Sequence, residues 1–417
     1  MKKILSQFKN EDWIATFMGA ILIVLVIFIP SLGKKVYEFP EGYPAWFSKV
    51  PFELTKFLII IGLSAIGLKI LNVKMKWFPL SFLFIYGISF FAQYLSGLGF
   101  IKQIGFESVF FSVAIGLLIR NSVGLPKWLE PAVRSEFYIK AGLVILGSSI
   151  LFGEIMKAGS FGMIQAIVVV LAVWYFSFWL TRRMGIDKEM GILLSTAVSI
   201  CGVSAAIAAS GAMKGDSKKL SYVVSLVLVV AVPMMYLMPY LSKLMGLTQE
   251  VAGAWLGGTI DTTGAVVASG KFLGDIAESQ SVIIKSAQNA LLGISAFAIS
   301  IYWSLKGTNQ EIRPSASVLW ERFPKFVIGF ILASVVFSFF LEPGTAKALS
   351  GAAKGLRETL FSVAFVCIGL ETDFRKVFGK ENHKYTAAFL IAQTFNVIVT
   401  LIVAYLLFGN YEFSFGF

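Results

Sequence analysis

The chain has 417 residues, of which 57% are hydrophobic and only 14% charged, with a mean hydropathy of +0.79. Soluble domains carry about 25% charged residues, and polar faces between the apolar runs are missing here, which argues against a soluble fold. The runs are long and continuous rather than alternating with period two, which argues against a β-barrel and for a polytopic all-α membrane protein. The formal net charge of +12 fits Lys and Arg gathered in cytoplasmic loops beside anionic lipid better than it fits nucleic-acid binding.

Hydrophobic segments fall near residues 13–32, 55–72, 78–98, 107–121, 137–153, 160–180, 190–213, 219–243, 250–272, 279–305, 323–342, 353–371 and 385–408. The first follows "MKKILSQFKNEDW" with no small-residue cleavage site after it, so it reads as a retained helix rather than a leader. The longest polar connections, about 33–54 and 306–322, are too short for a soluble domain. The whole of 1–417 therefore reads as one integral membrane domain, with 1–98 as peripheral helices and 99–417 as a repeat-containing core.

Loop charges set the orientation. Lys2, Lys3 and Lys9 place the N-terminus in the cytoplasm, together with Lys74 and Lys76, then Arg120, Lys127 and Arg134, then Arg182, Arg183 and Lys188. Lys306, Arg313, Arg322 and Lys325 follow on the same side, as does "FRKVFGKENHK", which leaves the C-terminus external. One loop disagrees if every segment crosses: "KGDSKK", with Lys214, Lys218 and Lys219, would be outside. It returns to the cytoplasm if 190–213 is a re-entrant hairpin, and the later loops keep their sides only if 250–272 also fails to cross. These two segments share a short repeat, "ASGAMKGD" and "ASGKFLGD". Two hairpins separated by one crossing helix would enter from opposite sides, the geometry of an inverted repeat.

Both segments are rich in small and hydroxylated residues, "STAVSICGVSAAIAASGAMKGD" and "GGTIDTTGAVVASGKF". Breaks are expected at Ser199 to Ser204 and at Gly257 to Gly264. Irregular backbone at membrane depth must be buried in protein or line a wet cavity, and half-helix N-termini there suit an anion. Close helix packing through small residues would use the same composition. Hydroxyls of Ser199, Ser204, Thr259, Thr262 and Thr263 are candidate ligands. Asp261 is the acidic group well inside an apolar segment, and Lys285 lies at similar depth in "SVIIKSAQNALLG" beside Gln288 and Asn289. Intramembrane ionisable groups are functional candidates by default, and Asp261 and Lys285 are candidates to pair across a cavity, either in a purely structural role or with Lys285 holding an anion and Asp261 accepting a proton. Lys140, one turn into its helix, reads as snorkelling, and Arg357, Glu358 and Glu371 read as helix-end charges.

Enzymatic arrangements are hard to build. A single histidine, His383, sits in a charged loop, the two cysteines, Cys201 and Cys367, lie in apolar surroundings, and no phosphate-cradling "GxxxxGK[ST]" occurs. Neither a metal site nor a cofactor is expected.

The runs "FSVAIGLLIRNSVGLP", "KAGLVILGSSILFGEI", "SICGVSAAIAASGAMKGDSKKLSYVVSLVLV" and "GTIDTTGAVVASG…KSAQNALLG" resemble the sulfate exporter family of bacterial inner-membrane proteins, over most of the chain from about Lys56 onward. That family is similar to the cation/proton antiporter and anion transporter superfamily, and "LFSVAFVCIGLETDF" resembles the antiporter branch. The resemblance implies a secondary carrier of small inorganic or organosulfur anions such as sulfate, built from inverted repeats with two interrupted helices, working by alternating access with proton or sodium coupling, and homodimeric. Carried over residue by residue, its small polar segments fall on Ser199, Cys201, Gly202 and Ser204 and on Thr259, Thr262 and Thr263, its polar helix on Lys285, Gln288 and Asn289, and its coupling residue on Asp261. The relatives suggest interrupted helices that cross, whereas the loop charges favour re-entrant hairpins, so the crossing helices number about 11 to 13 of the segments above. A cation/proton antiporter is the rival function.

Overall fold

Runs of Leu, Ile, Val and Phe with few breakers become helices in the computed structural model, which describes residues 10–30, 50–98, 108–150, 152–213, 215–305, 320, 323–376 and 383–409. Among these residues there is no strand. The charges assigned above to Lys2, Lys3, Lys9, Lys214, Lys306, Arg313 and Arg322, and most of "FRKVFGKENHK", lie outside the described residues.

The helices are α1 (Glu11–Phe28), α2 (Val50–Ile70), α3 (Phe78–Gly97), α4 (Ser108–Ser122), α5 (Ser135–Leu146), α6 (Phe152–Arg183), α7 (Lys188–Ser199), α8 (Val203–Met213) and α9 (Ser217–Leu244). They continue with α10 (Gln249–Thr259), α11 (Thr263–Leu273), α12 (Asp275–Ala290), α13 (Leu292–Leu305), α14 (Lys325–Val335), α15 (Pro343–Glu371) and α16 (His383–Phe408). Among the described residues six stretches are long and apolar enough to cross a bilayer: Glu11–Phe28, Phe78–Ser96, Ala158–Arg183, Ser217–Leu244, Asp275–Trp303 and His383–Phe408. The chain is thus a multi-pass membrane protein.

Its contacts divide it into two compact units, Met1–Ile155 with Lys325–Thr372, and Met156–Pro324 with Asp373–Phe417.

In the first unit α4 crosses α15 closely. A Cβ on Gly116 would stand 2.5 Å from the Val366 oxygen, and one on Gly369 would stand 2.4 Å from the Val113 oxygen, so two helix backbones touch where only glycine fits. Lys140 does not snorkel. It joins α5 to α1 through Asp12 Oδ1 at 2.9 Å and Glu11 Oε1 at 3.2 Å. Arg357 is not an end charge either, because α15 begins ten residues before the hydropathy rises, at Pro343, and buries Arg357 inside a 29-residue helix. Glu371 does lie at a helix end, where it accepts hydrogen bonds from the Ser135 N–H at 3.1 Å and its hydroxyl at 2.5 Å.

The second unit holds the two Leu-poor segments. Each is a pair of short helices, α7 with α8 and α10 with α11, of 11 or 12 residues apiece. At a rise of 1.5 Å per residue, such a helix reaches about 17 Å, roughly half a bilayer core. The α7–α8 pair closes at its base: Lys219, after α8, contacts Asp187 at 2.7 Å and Glu189 at 2.8 Å, and Glu189 also accepts from the Asp216 N–H. Partial burial would raise the Asp187 carboxyl, but hydrogen bonds from Lys219 and the Met190 N–H hold it below the usual carboxylate range. The α10–α11 pair closes at its own base, where Gln249 Oε1 accepts from the Ala277 N–H at 3.4 Å and a Cβ on Gly274 would meet it at 2.6 Å. Between the pairs runs α9, 28 residues long, so the two bases lie at its opposite ends and the two tips face each other.

Candidate functional site

The tips are the three-residue gaps Ile200–Gly202 and Ile260–Thr262. They touch. Gly202 has φ +61°, and a Cβ there would lie 3.1 Å from Asp261 Cβ and 2.5 Å from Val227 Cγ1. Glycine is needed for both the left-handed turn and the close approach. Its N–H donates to the Ala197 oxygen at 3.0 Å, which closes the end of α7.

Ending α7 at Ser199 and α10 at Thr259 leaves buried carbonyls without helical partners, and in an apolar interior each such group costs several kcal/mol if left bare, of order 2–7. Side chains satisfy them. Lys285 Nζ donates to the Ile200 oxygen at 2.9 Å, and Gln288 Nε2 to the Gly258 oxygen at 2.9 Å and the Ser199 oxygen at 3.4 Å. Asn396 Nδ2 donates to the Val198 oxygen at 3.1 Å and the Thr259 oxygen at 3.2 Å, and Gln393 Nε2 donates to the Thr259 oxygen at 2.9 Å. Gln288 and Asn396 each reach both hairpins, so two side-chain amides tie the tips together. Lys285 and Gln288, three residues apart on α12, share one helical face, and Lys285 Nζ also donates to Gln288 Oε1 at 2.6 Å.

Asp261 is 1% exposed and Lys285 is 1% exposed. Among the described residues no ion pair within 4.0 Å joins them: Lys285 spends its hydrogen bonds on Ile200 and Gln288, and Asp261 Oδ2 accepts none. Three further buried oxygens beside the second tip also accept none, Thr259 Oγ1, Asn289 Oδ1 and Gln393 Oε1. The second tip is thus rich in idle acceptors, while the N-termini of α8 and α11 bring positive helix ends to the same place.

The sequence-predicted residues divide as follows. Ser199, Cys201, Gly202, Thr259, Asp261, Thr262, Thr263, Lys285, Gln288 and Asn289 are all buried at or beside the tips, and Ser204 is part-exposed in the first turn of α8. The Thr262 hydroxyl caps its own helix by accepting from the Ala265 N–H at 3.3 Å, and the Thr263 hydroxyl accepts from Asn289 Nδ2 at 3.4 Å. The Ser199 hydroxyl reaches only the Thr196 oxygen, at 3.5 Å. Gln165, Gln393, Asn396 and Thr400 are absent from the sequence reading. Gln165 Nε2 donates to the Ala254 oxygen at 2.8 Å, and the Thr400 hydroxyl donates to Asn396 Oδ1 at 2.8 Å. Their signal was present, since Gln393, Asn396 and Thr400 recur on one face of an otherwise apolar helix, "AAFLIAQTFNVIVT". Among the described residues no three His, Cys, Asp or Glu side chains come together.

A family model described as "Conserved hypothetical protein 698" matches residues 80–388. The chain is 37% identical over 363 residues to a UPF0324 membrane protein of Rhodopirellula baltica, covering 84% of this chain and 67% of that one. It is 35% identical over 373 residues to a UPF0324 membrane protein of Nitratidesulfovibrio vulgaris, covering 85% and 64%. A third relative, the UPF0324 membrane protein of Nitrosomonas europaea, is 24% identical over 442 residues, covering 89% and 90%. The chain spans about two thirds of the length of the first two relatives. No solved structure matches it.

Proposed function

The chain belongs to the conserved hypothetical protein 698 family of membrane proteins, and we propose that it is a secondary transporter of a small anion, with sulfate or a related sulfur oxyanion as the first candidate. The observation that carries this reading is the meeting of two half-length helix hairpins, tip to tip, around the buried cation Lys285. Transporters place their sites where discontinuous helices meet near the bilayer midplane, with helix N-termini toward an anionic group. The hairpins are re-entrant from opposite faces and form the halves of an inverted repeat. This placement supports the loop charges: with the α7–α8 base closed by Lys219, Asp187 and Glu189, Lys218 and Lys219 stand on the same side as Arg182, Arg183 and Lys188, as the positive-inside pattern asks of these loops. The N-terminus is cytoplasmic, the C-terminus external, and the membrane a bacterial inner membrane.

In this mechanism the closed state is the one described. Lys285 is held by the Ile200 carbonyl and Gln288, and an entering anion takes over its ammonium while the α8 and α11 N-termini add backbone donors. Asp261 takes up a proton as the anion enters, which frees Lys285 for the anion and offsets the added negative charge, and it gives the proton up when the anion leaves. The test is anion flux in proteoliposomes over a panel of sulfate, sulfite, thiosulfate and small organosulfonates, comparing the natural protein with Lys285→Ala and Asp261→Asn. Loss of anion flux in Lys285→Ala with the protein still folded supports the reading, and unchanged flux removes Lys285 from it.

A second reading, a cation/proton antiporter, is favoured by the idle oxygens of Asp261, Thr259, Asn289 and Gln393, because one carboxylate with neutral oxygens suits a hard monovalent cation or a proton. Proton release from the vesicle lumen on adding sodium or potassium, with no response to anions, would select this reading over the first.

A further inference from the structure

The first unit contains a cavity of about 790 Å³ that the transport reading does not use. It lies where the end of α2, the turn before α3 and the connection into α5 come together. Its charged lining is Lys74, Lys76, Lys127 and Arg134, against Glu11 and Glu130. Glu11 is engaged by Lys140 at 3.2 Å. Among the described residues no carboxylate pairs with Lys74, Lys76, Lys127 or Arg134, and Arg134 Nε is buried with no hydrogen-bond acceptor. Arg134 is the N-cap of α5 and makes no capping bond with its side chain. Lys76 sits over the Trp77 ring, 5.7 Å from its centroid. The cavity floor is apolar, with Leu68, Leu71 and Val73, and the adjoining surface exposes Ile70, Trp77 and Leu80.

Exposed Lys74, Lys76 and Lys127 and part-buried Arg134 outnumber Glu11 and Glu130 around a roomy cavity, which leaves it net positive, and a buried guanidinium nitrogen without an acceptor leaves a donor to be filled. Phosphate oxygens match both needs. The apolar floor and the exposed Ile70, Trp77 and Leu80 beside it add a surface for hydrocarbon, with tryptophan at the level where headgroups lie. Basic pockets between transmembrane helices are a recurrent form of acidic-lipid site. We propose that this cavity binds a phosphate group, presented by the headgroup of an anionic phospholipid such as phosphatidylglycerol. Lys127 and Arg134 hold the phosphate, Lys74 and Lys76 flank it, and Glu130 weakens the site by repulsion.

The experiment uses the full chain in detergent micelles, with retention of added phosphatidylglycerol, phosphatidylcholine or inorganic phosphate measured by native mass spectrometry and by thermal shift. Phosphatidylglycerol should be retained over phosphatidylcholine, and added salt should weaken it. Each cation near an anionic headgroup is worth about a fivefold change in affinity, so Lys127→Gln with Arg134→Gln should weaken retention about twenty-five-fold. Glu130→Gln should tighten it, a gain that misfolding cannot produce. A shift with inorganic phosphate that the double variant abolishes would keep the site and identify a soluble source. Equal retention of the two lipids, with no phosphate shift and no difference among the natural protein and either variant, would overturn the proposal.

Discussion

Gln288→Leu isolates the link between the two hairpin tips. Leucine is close to glutamine in size, so the packing around α12 changes little, and the loss is polar. Three contacts go: Lys285 Nζ to Gln288 Oε1 at 2.6 Å, Gln288 Nε2 to the Gly258 oxygen at 2.9 Å, and the long one to the Ser199 oxygen at 3.4 Å. A hydrogen bond to a charged group contributes about 1.5–3 kcal/mol, and a buried carbonyl stripped of its donor costs about 1–3 kcal/mol. The 3.4 Å contact contributes little. Burying leucine in place of an amide offsets about 1–2 kcal/mol, so the net destabilisation is about 2–4 kcal/mol. Because Gln288 touches both tips, amide hydrogen exchange should quicken together in peptides spanning Ser199–Ser204 and Gly257–Gly264, with the bases of the hairpins unchanged. Gln288→Glu should keep the contact with Lys285 yet loosen the tips, since it has no donor for the Gly258 oxygen. Exchange that quickens at one tip only, or at neither, would refute the bridge.

Three other substitutions probe the same architecture. Gly202→Ala places a Cβ 2.5 Å from Val227 Cγ1 on a residue with φ +61°, and the strain alone is of order 1–2 kcal/mol, so its melting temperature should fall clearly below that of an Ala substitution at exposed Gly153. Lys219→Gln removes the ion pairs that close the α7–α8 base, at a cost of about 0.2–1 kcal/mol that shrinks in high salt. Asp187 is held below the usual range, so its share of this stabilisation is present above the unfolded carboxylate value of about 3.9 and is lost as the pH falls through the lower folded value; melts on either side of about pH 4 should therefore separate the natural protein from Lys219→Gln only on the upper side. Asn396→Leu removes the Asn396 donor from the Val198 oxygen and one of the two side-chain donors from the Thr259 oxygen and should cost about 1–3 kcal/mol, read by thermal unfolding and by loss of anion flux.

Much of the helix pattern was legible because hydropathy marks where a chain can sit in lipid. The runs at 219–243 and 385–408 agree with α9 and α16 to within two residues at each end. The start of α15 was not legible, because "PGTAKALSGAAKG" is helical without being apolar and is mostly exposed or part-exposed, with Leu349, Ala353 and Gly355 buried. Within the site, Asp261, Lys285 and Gln288 stood out as polar groups in apolar runs. The direct contact between Asp261 and Lys285 was a pairing of formal charges, and it ignored the open carbonyl of Ile200, which is the nearer demand on a lysine. Gln393 and Asn396 escaped attention because an amide carries no charge, yet uncharged amides are the donors that broken helix ends require.

The donors from α16 arrive late. Asn396 follows the Thr259 carbonyl it caps by 137 residues, and at about 5–20 residues per second the ribosome needs roughly 7 to 27 s to cover that distance. For that interval both hairpins exist with part of their backbone unanswered, in a membrane already committed to holding them. Before His383 is made, Lys285 and Gln288 already answer the Ile200, Ser199 and Gly258 oxygens, and what α16 adds is the donors on the Val198 and Thr259 oxygens.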